Sequence, residues 1–165
     1  MKNKYVLIII LSLIFSLLNQ NLSLGYCSIE DKDLAQKNPN SKFAIGLAKN
    51  PRYVVKEEDK KFAQSNPDTA FAENLVKNPS YRISAEDKGF ALLNPDTKFA
   101  YGIAQNPSYN ISDKDKEFAR NNIDTKFAEG LLLNQYYRVE DEDRIFARNN
   151  LNSKLTEILT QNQTY

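Results

Sequence analysis

A seven-residue block recurs along the chain: NPNSKFA at Asn38–Ala44, NPDTAFA at Asn66–Ala72, NPDTKFA at Asn94–Ala100, NIDTKFA at Asn122–Ala128 and NLNSKLT at Asn150–Thr156. The copies are 28 residues apart. Tyr53, Tyr81, Tyr109 and Tyr137 each open a copy, and Tyr26 opens a first copy shortened by one residue. Units this short cannot bury an apolar face alone, so they must stack on their neighbours. The expected fold is all-α, an α-solenoid of five helix hairpins with units 26–52, 53–80, 81–108, 109–136 and 137–165.

The third copy, Tyr81–Ser108, shows why each unit reads as two helices. Ser84 can accept from the first helical turn while Asp87 reaches back to the Ser84 amide, and Ser112 with Asp115 repeats that capping box. Asn94 is expected to cap a second helix, with Pro95 at its first position and Asp96 near the positive end of its dipole. Asn106 in a left-handed conformation, followed by Pro107, is expected to end it. Phe90 and Ala91 share one face of the first helix, and Phe99, Ala100, Gly102 and Ile103 share one face of the second. The small residues Ala91, Ala100, Gly102 and Ala104 allow close helix approach, and the tyrosines are expected to plug the gaps between units. At the two ends, Leu34 in place of Phe, and Leu155, Thr156 and Thr160 in place of apolar or smaller residues, read as caps of the array.

In overall class the pattern resembles α-solenoids such as tetratricopeptide arrays. The period is shorter and the Trp/Leu-Gly/Tyr pattern of that family is missing, so the resemblance implies architecture only.

Residues 1–25 differ in kind. Lys2 and Lys4 precede an apolar run from Tyr5 to Leu18, and Ser23-Leu24-Gly25 supplies small residues at −3 and −1 of a cut after Gly25. This reads as a secretory signal peptide, placing the product in the periplasm or outside the cell. Membrane attachment follows only if the segment is retained or Cys27 is lipidated; Tyr26 stands where a lipoprotein signal wants a small residue. Removal of Lys2 and Lys4 leaves 22 − 2 = 20 basic against 21 acidic residues, a formal charge of −1 that gives no bulk attraction to nucleic acid. One cysteine excludes an internal disulfide.

The chain has no histidine, no Gly-rich phosphate loop and no metal-ligand spacing. Its acids fall in first helical turns, where the dipole favours the ionised form and works against general-base chemistry. An enzyme, a metal site and a cofactor site are therefore not expected.

Two kinds of binding surface remain. In the central unit Leu92 replaces Gln36, Gln64, Arg120 and Arg148; Leu93 replaces Lys37, Ser65, Asn121 and Asn149; Tyr101 replaces Glu73, Glu129 and Glu157. Leu92, Leu93 and Tyr101 form the candidate contact patch for a protein or peptide partner. The alternative is a cationic row, Lys32, Lys60, Lys88, Lys116 and Arg144, joined by Lys42, Lys98, Lys126 and Lys154, for a polyanion or cell surface. Competing with that row is a ladder between units that pairs each lysine with a carboxylate such as Asp68, Asp96 or Asp124. A purely structural envelope role is a third possibility.

Overall fold

The computed structural model describes residues 27–165, so the expected signal segment and cleavage point lie outside the described residues. Ten helices and no strand occur among the described residues: α1 (Ile29–Lys37), α2 (Lys42–Lys49), α3 (Glu57–Ser65), α4 (Ala70–Lys77), α5 (Ala85–Leu93), α6 (Lys98–Gln105), α7 (Asp113–Asn121), α8 (Lys126–Leu132), α9 (Asp141–Asn149) and α10 (Lys154–Gln161). Each odd-numbered helix packs on the even-numbered helix that follows it, and consecutive even-numbered helices pack on one another. The packing fits a helical repeat, with the even-numbered helices as its spine. None of the described helices is long and apolar enough to cross a membrane.

The odd-numbered helices start as their sequences dictate. Asp31, Asp87 and Asp115 accept from Ser28, Ser84 and Ser112 amides, while each serine oxygen accepts from the acid's own amide. Neither Lys56 nor Glu140 makes a side-chain cap bond, yet Asp59 and Asp143 still take their backbone amides.

The turn between the two helices of a pair corrects the expected capping scheme. Asn94 does not start α6; it ends α5, its amide nitrogen donating to the Phe90 carbonyl at 3.0 Å. Thr97 is the N-cap of α6, its oxygen accepting from the Ala100 amide at 3.2 Å and donating to the Asn94 carbonyl at 2.8 Å. Pro95 and Asp96 therefore lie in the turn, where the fixed proline φ suits its first central position. Both Asn and Thr are good N-caps, and only Thr stands three residues ahead of the free Ala100 amide. The same arrangement recurs at Asn66 with Thr69 and at Asn122 with Thr125.

Asn106 also departs from expectation. It is extended, φ −62° and ψ 132°, and no described residue has positive φ. Instead of tolerating a left-handed turn, it ties two pairs together. Its buried amide donates to the Val76 carbonyl of the preceding pair, while its oxygen accepts from Ser108. Asn78 likewise donates to Ala48 at 2.7 Å, and Asn134 to Ala104 at 2.7 Å.

The spine is bonded backbone to backbone as well. Phe71, Phe99 and Phe127, in the first turns of α4, α6 and α8, donate their amides at 2.8 Å to the carbonyls of Pro39, Pro67 and Pro95 in the preceding turns. One residue earlier, Ala70 donates to Asn40 and Lys98 to Asp68. Amides that a helix start normally leaves to water are thus satisfied by the preceding pair.

Two glycines set the helix separation. A Cβ on Gly102 would lie 2.6 Å from the Glu73 carbonyl oxygen, and one on Gly130 2.7 Å from that of Tyr101. Ile158 occupies the corresponding place in α10, and a branched side chain cannot approach that closely. The α8–α10 junction also lacks the Phe-to-Pro type of backbone bond and the asparagine tie, both of which the α2–α4 junction keeps with Asn74 at the aligned position. A cleft of about 360 Å³ opens there, walled by Leu132, Leu133, Tyr137 and Ile158.

The core consists of the alanines and phenylalanines of the repeated blocks, with Leu75, Ile103, Leu131 and the tyrosines Tyr53, Tyr81, Tyr109 and Tyr137 buried between them. Phe62–Phe71, Phe90–Phe99 and Phe118–Phe127 meet edge to face within their pairs. The first pair is not capped as expected: Leu34 is half exposed and so is Phe43, at 43 %, whereas Phe71, Phe99 and Phe127 are fully buried.

Candidate functional site

The sequence-derived candidates fall along the seam where one odd-numbered helix faces the start of the next. Its centre is a buried carboxylate. Asp59, Asp87, Asp115 and Asp143 are all buried, and each accepts from a tyrosine hydroxyl six residues earlier: Tyr53, Tyr81 and Tyr109 at 2.8 Å and Tyr137 at 3.0 Å. Burial, reinforced by the adjacent carboxylate, pushes these phenols well above their ordinary range, so they act as permanent donors. A proton cannot readily leave such a hydroxyl, and the arrangement is a structural clamp. Among the described residues no cluster of acidic, cysteine or histidine side chains has the makings of a metal site.

The row Lys32, Lys60, Lys88, Lys116 and Arg144 runs along this seam, the four lysines turned into the following pair and Arg144 onto the residues that follow α10. Lys60 donates to the Arg82 carbonyl at 2.8 Å, Lys88 to Asn110 at 3.1 Å, Lys116 to Arg138 at 3.0 Å, and Arg144 to Thr164 at 3.1 Å. Lys32 instead pairs with Asp59 at 3.1 Å. Each cation also sits over the next tyrosine ring, at 4.2 Å for Lys88 over Tyr109 and 4.9 Å for Lys32 over Tyr53. Carboxylates are partners too: Lys32 pairs with Asp59, Lys60 with Glu57, Lys116 with Glu140 and Arg144 with Asp141, while of Asp68, Asp96 and Asp124 only Asp68 meets a lysine side chain, that of Lys126 at 3.9 Å.

Leu92 stands at the position that bridges this seam elsewhere. Gln64 donates to Asp87 at 2.9 Å and Arg120 to Asp143 at 2.7 Å, each crossing from one odd-numbered helix to the next. Leu92 holds the corresponding place one pair ahead of Asp115 and has no donor to offer. Asp115 keeps Tyr109 and Ser112 and gains nothing from the preceding pair. Leu92 is 36 % exposed and Leu93, beside it at the end of α5, 83 % exposed.

Tyr101 lies apart from these leucines in its surroundings. It is half-buried on the spine helix α6, with the Lys77 ammonium 4.4 Å from its ring centre. Burial raises its phenol above the ordinary range, and Glu129 and Glu73 nearby add to the rise. On the same side Lys154 pairs with Glu129 at 2.6 Å, which raises the lysine above its usual value.

Sequence reasoning missed the cleft beside Ile158. Its signal was visible as a branched residue aligned with Gly102 and Gly130, together with Gln135 and Tyr136 where other turns have Pro and Ser. No protein-family model, curated protein or solved structure matches the chain.

Proposed function

We propose that the chain is an exported, non-catalytic α-solenoid of five 28-residue hairpins, units 26–52, 53–80, 81–108, 109–136 and 137–165, that binds a protein or peptide through the outer end of α5. Export would follow removal of residues 1–25, leaving the product in the periplasm or outside the cell.

The observation that carries this reading is Leu92. At a position where two other pairs hold a charge-assisted bond across the seam, the central pair presents an apolar side chain to solvent, continuous with Leu93. A local bond given up without an internal replacement is the kind of departure that functional surfaces make from an otherwise consistent pattern. The partner's chemistry is apolar, since the row lysines are already directed at the following pair.

The test is a binding comparison in the native compartment between wild type and Leu92→Gln with Leu93→Asn. Both replacements install residues that equivalent positions already carry. The expected result is loss of a partner by the substituted protein with folding intact, and retention of wild-type capture at high salt. Equal capture by both proteins refutes the patch, and capture abolished by salt alone restores the polyanion alternative.

A further inference from the structure

The two ends of the helical array differ, and each carries half of a junction that the interior shows whole. Four parts make up such a junction; each occurs at two or three of the four junctions, and all four occur together between the second and third pairs. A proline carbonyl accepts from the second amide of the next spine helix. An Asn40 or Asp68 oxygen accepts from its first amide. Gln64 or Arg120 reaches the next buried acid. A glycine meets the preceding spine helix, with Val76 packed against Gly102 and Ala104 against Gly130.

At the first pair the receiving half is open. Gly46 holds the close-approach position, yet a Cβ there would meet nothing within 4 Å. Phe43 is half exposed, and the Lys42 and Phe43 amides find no acceptor among the described residues. Asp31 waits at the acid position, only partly buried.

The fifth pair presents the donating half. Leu151 holds the proline position, Asn152 repeats Asn40, and Arg148 repeats Arg120; all three are exposed. Thr160 takes the place of Val76 and Ala104. Its hydroxyl is turned back onto the Thr156 and Glu157 carbonyls, leaving the methyl group for packing.

We propose that the chain associates with further copies of itself head to tail, the α2 face of one copy seated on the α10 face of another. Arg148 then pairs with Asp31 of the neighbouring copy, the Asn152 oxygen and Leu151 carbonyl receive the first amides of its α2, and Gly46 admits Thr160. Such a contact joins unlike surfaces, so each added copy leaves the same two faces free and growth does not stop at two. A symmetric pairing of two α2 faces would cover Phe43 but leave Arg148 and Asn152 unmatched.

Sedimentation velocity of the full chain over a dilution series tests this. The expected result is a mass that rises with concentration beyond two copies. Gly46→Leu should abolish the rise while the melting temperature, at a dilution where the wild type is a single copy, stays level or increases slightly, because nothing within the copy contacts that position and leucine favours helix. Arg148→Glu should reduce association markedly. The proposal is overturned by a single copy at every concentration. It is also overturned by assembly that stops at two and ignores Arg148→Glu, which marks a symmetric dimer. A Gly46→Leu variant with a lowered melting temperature, compared at a dilution where the wild type is a single copy, overturns it too, since the face is then covered by the chain's own residues.

Discussion

Replacing Leu92 with glutamine should make this protein more stable, the reverse of what loss of an apolar side chain normally does. The basis is the neighbouring seam, where Gln64 donates to Asp87 at 2.9 Å while Asp87 also accepts from Tyr81 at 2.8 Å. Asp115 has the same tyrosine bond from Tyr109 at 2.8 Å and no donor from the preceding pair, so a glutamine at 92 finds an equivalent acceptor. A hydrogen bond to a charged group contributes about 1.5–3 kcal/mol. Against it stand about 1 kcal/mol for the apolar area of a leucine that is already 36 % exposed and about 0.5–1 kcal/mol for ordering the longer side chain. The balance spans a loss of about 0.5 to a gain of about 1.5 kcal/mol and centres on a gain of about 0.5 kcal/mol, or about 1–2 °C in melting temperature for a domain of this size. Thermal and urea unfolding followed by far-ultraviolet circular dichroism measures it, with Gln64→Leu as the mirror variant expected to lose a similar amount. Destabilisation of Leu92→Gln by more than about 1 kcal/mol would show that leucine packing outweighs the bond and would remove the argument that stability was given up at this seam.

Gly102→Ala should destabilise by about 1–3 kcal/mol, because its Cβ meets the Glu73 carbonyl at 2.6 Å, whereas Gly46→Ala should be neutral or slightly stabilising; equal effects in urea titrations would contradict the close-approach reading. Asn106→Ala should cost about 2–3 kcal/mol by orphaning the Val76 carbonyl and the Ser108 donors, and a change below about 0.5 kcal/mol would mean that water replaces the tie. Burial holds Tyr53, Tyr81, Tyr109 and Tyr137 protonated in the fold, while the unfolded phenols ionise near pH 10. Their contribution is therefore whole below about pH 10 and falls above it, with a slope approaching one proton per tyrosine. Urea midpoints that stay flat as pH climbs past that value would count against the clamp.

The parts of this fold that local chemistry decides were legible in the sequence. Ser84 and Asp87 announce a helix start because both halves of the box lie within four residues, and the recurring Phe-Ala faces announce burial. The turn was harder, since Asn94 and Thr97 are equally good caps and the choice depends on which one faces a free amide. Residues whose partners lie in the next pair were not legible in detail. Lys88 repeats at a fixed spacing, but its acceptor is the Asn110 carbonyl, 22 residues on. Leu92 stood out by comparison with Gln64 and Arg120, yet the acid they reach becomes apparent only when the helices are placed side by side. Tyr101 looked like surface for the same reason; its cover, Lys77, comes from the preceding spine helix.

The backbone bonds along the spine also favour one order of assembly. Phe71, Phe99 and Phe127 each begin a helix whose first amides are received by a turn already completed earlier in the chain. An acceptor already in place favours a helix start over one left to water, so each pair offers its successor a ready-made template and needs no successor for its own turn. A polypeptide delivered N-terminus first, through a ribosome exit or an export channel, meets every template just as it is needed. Delivered from the other end, the same residues would wait for theirs.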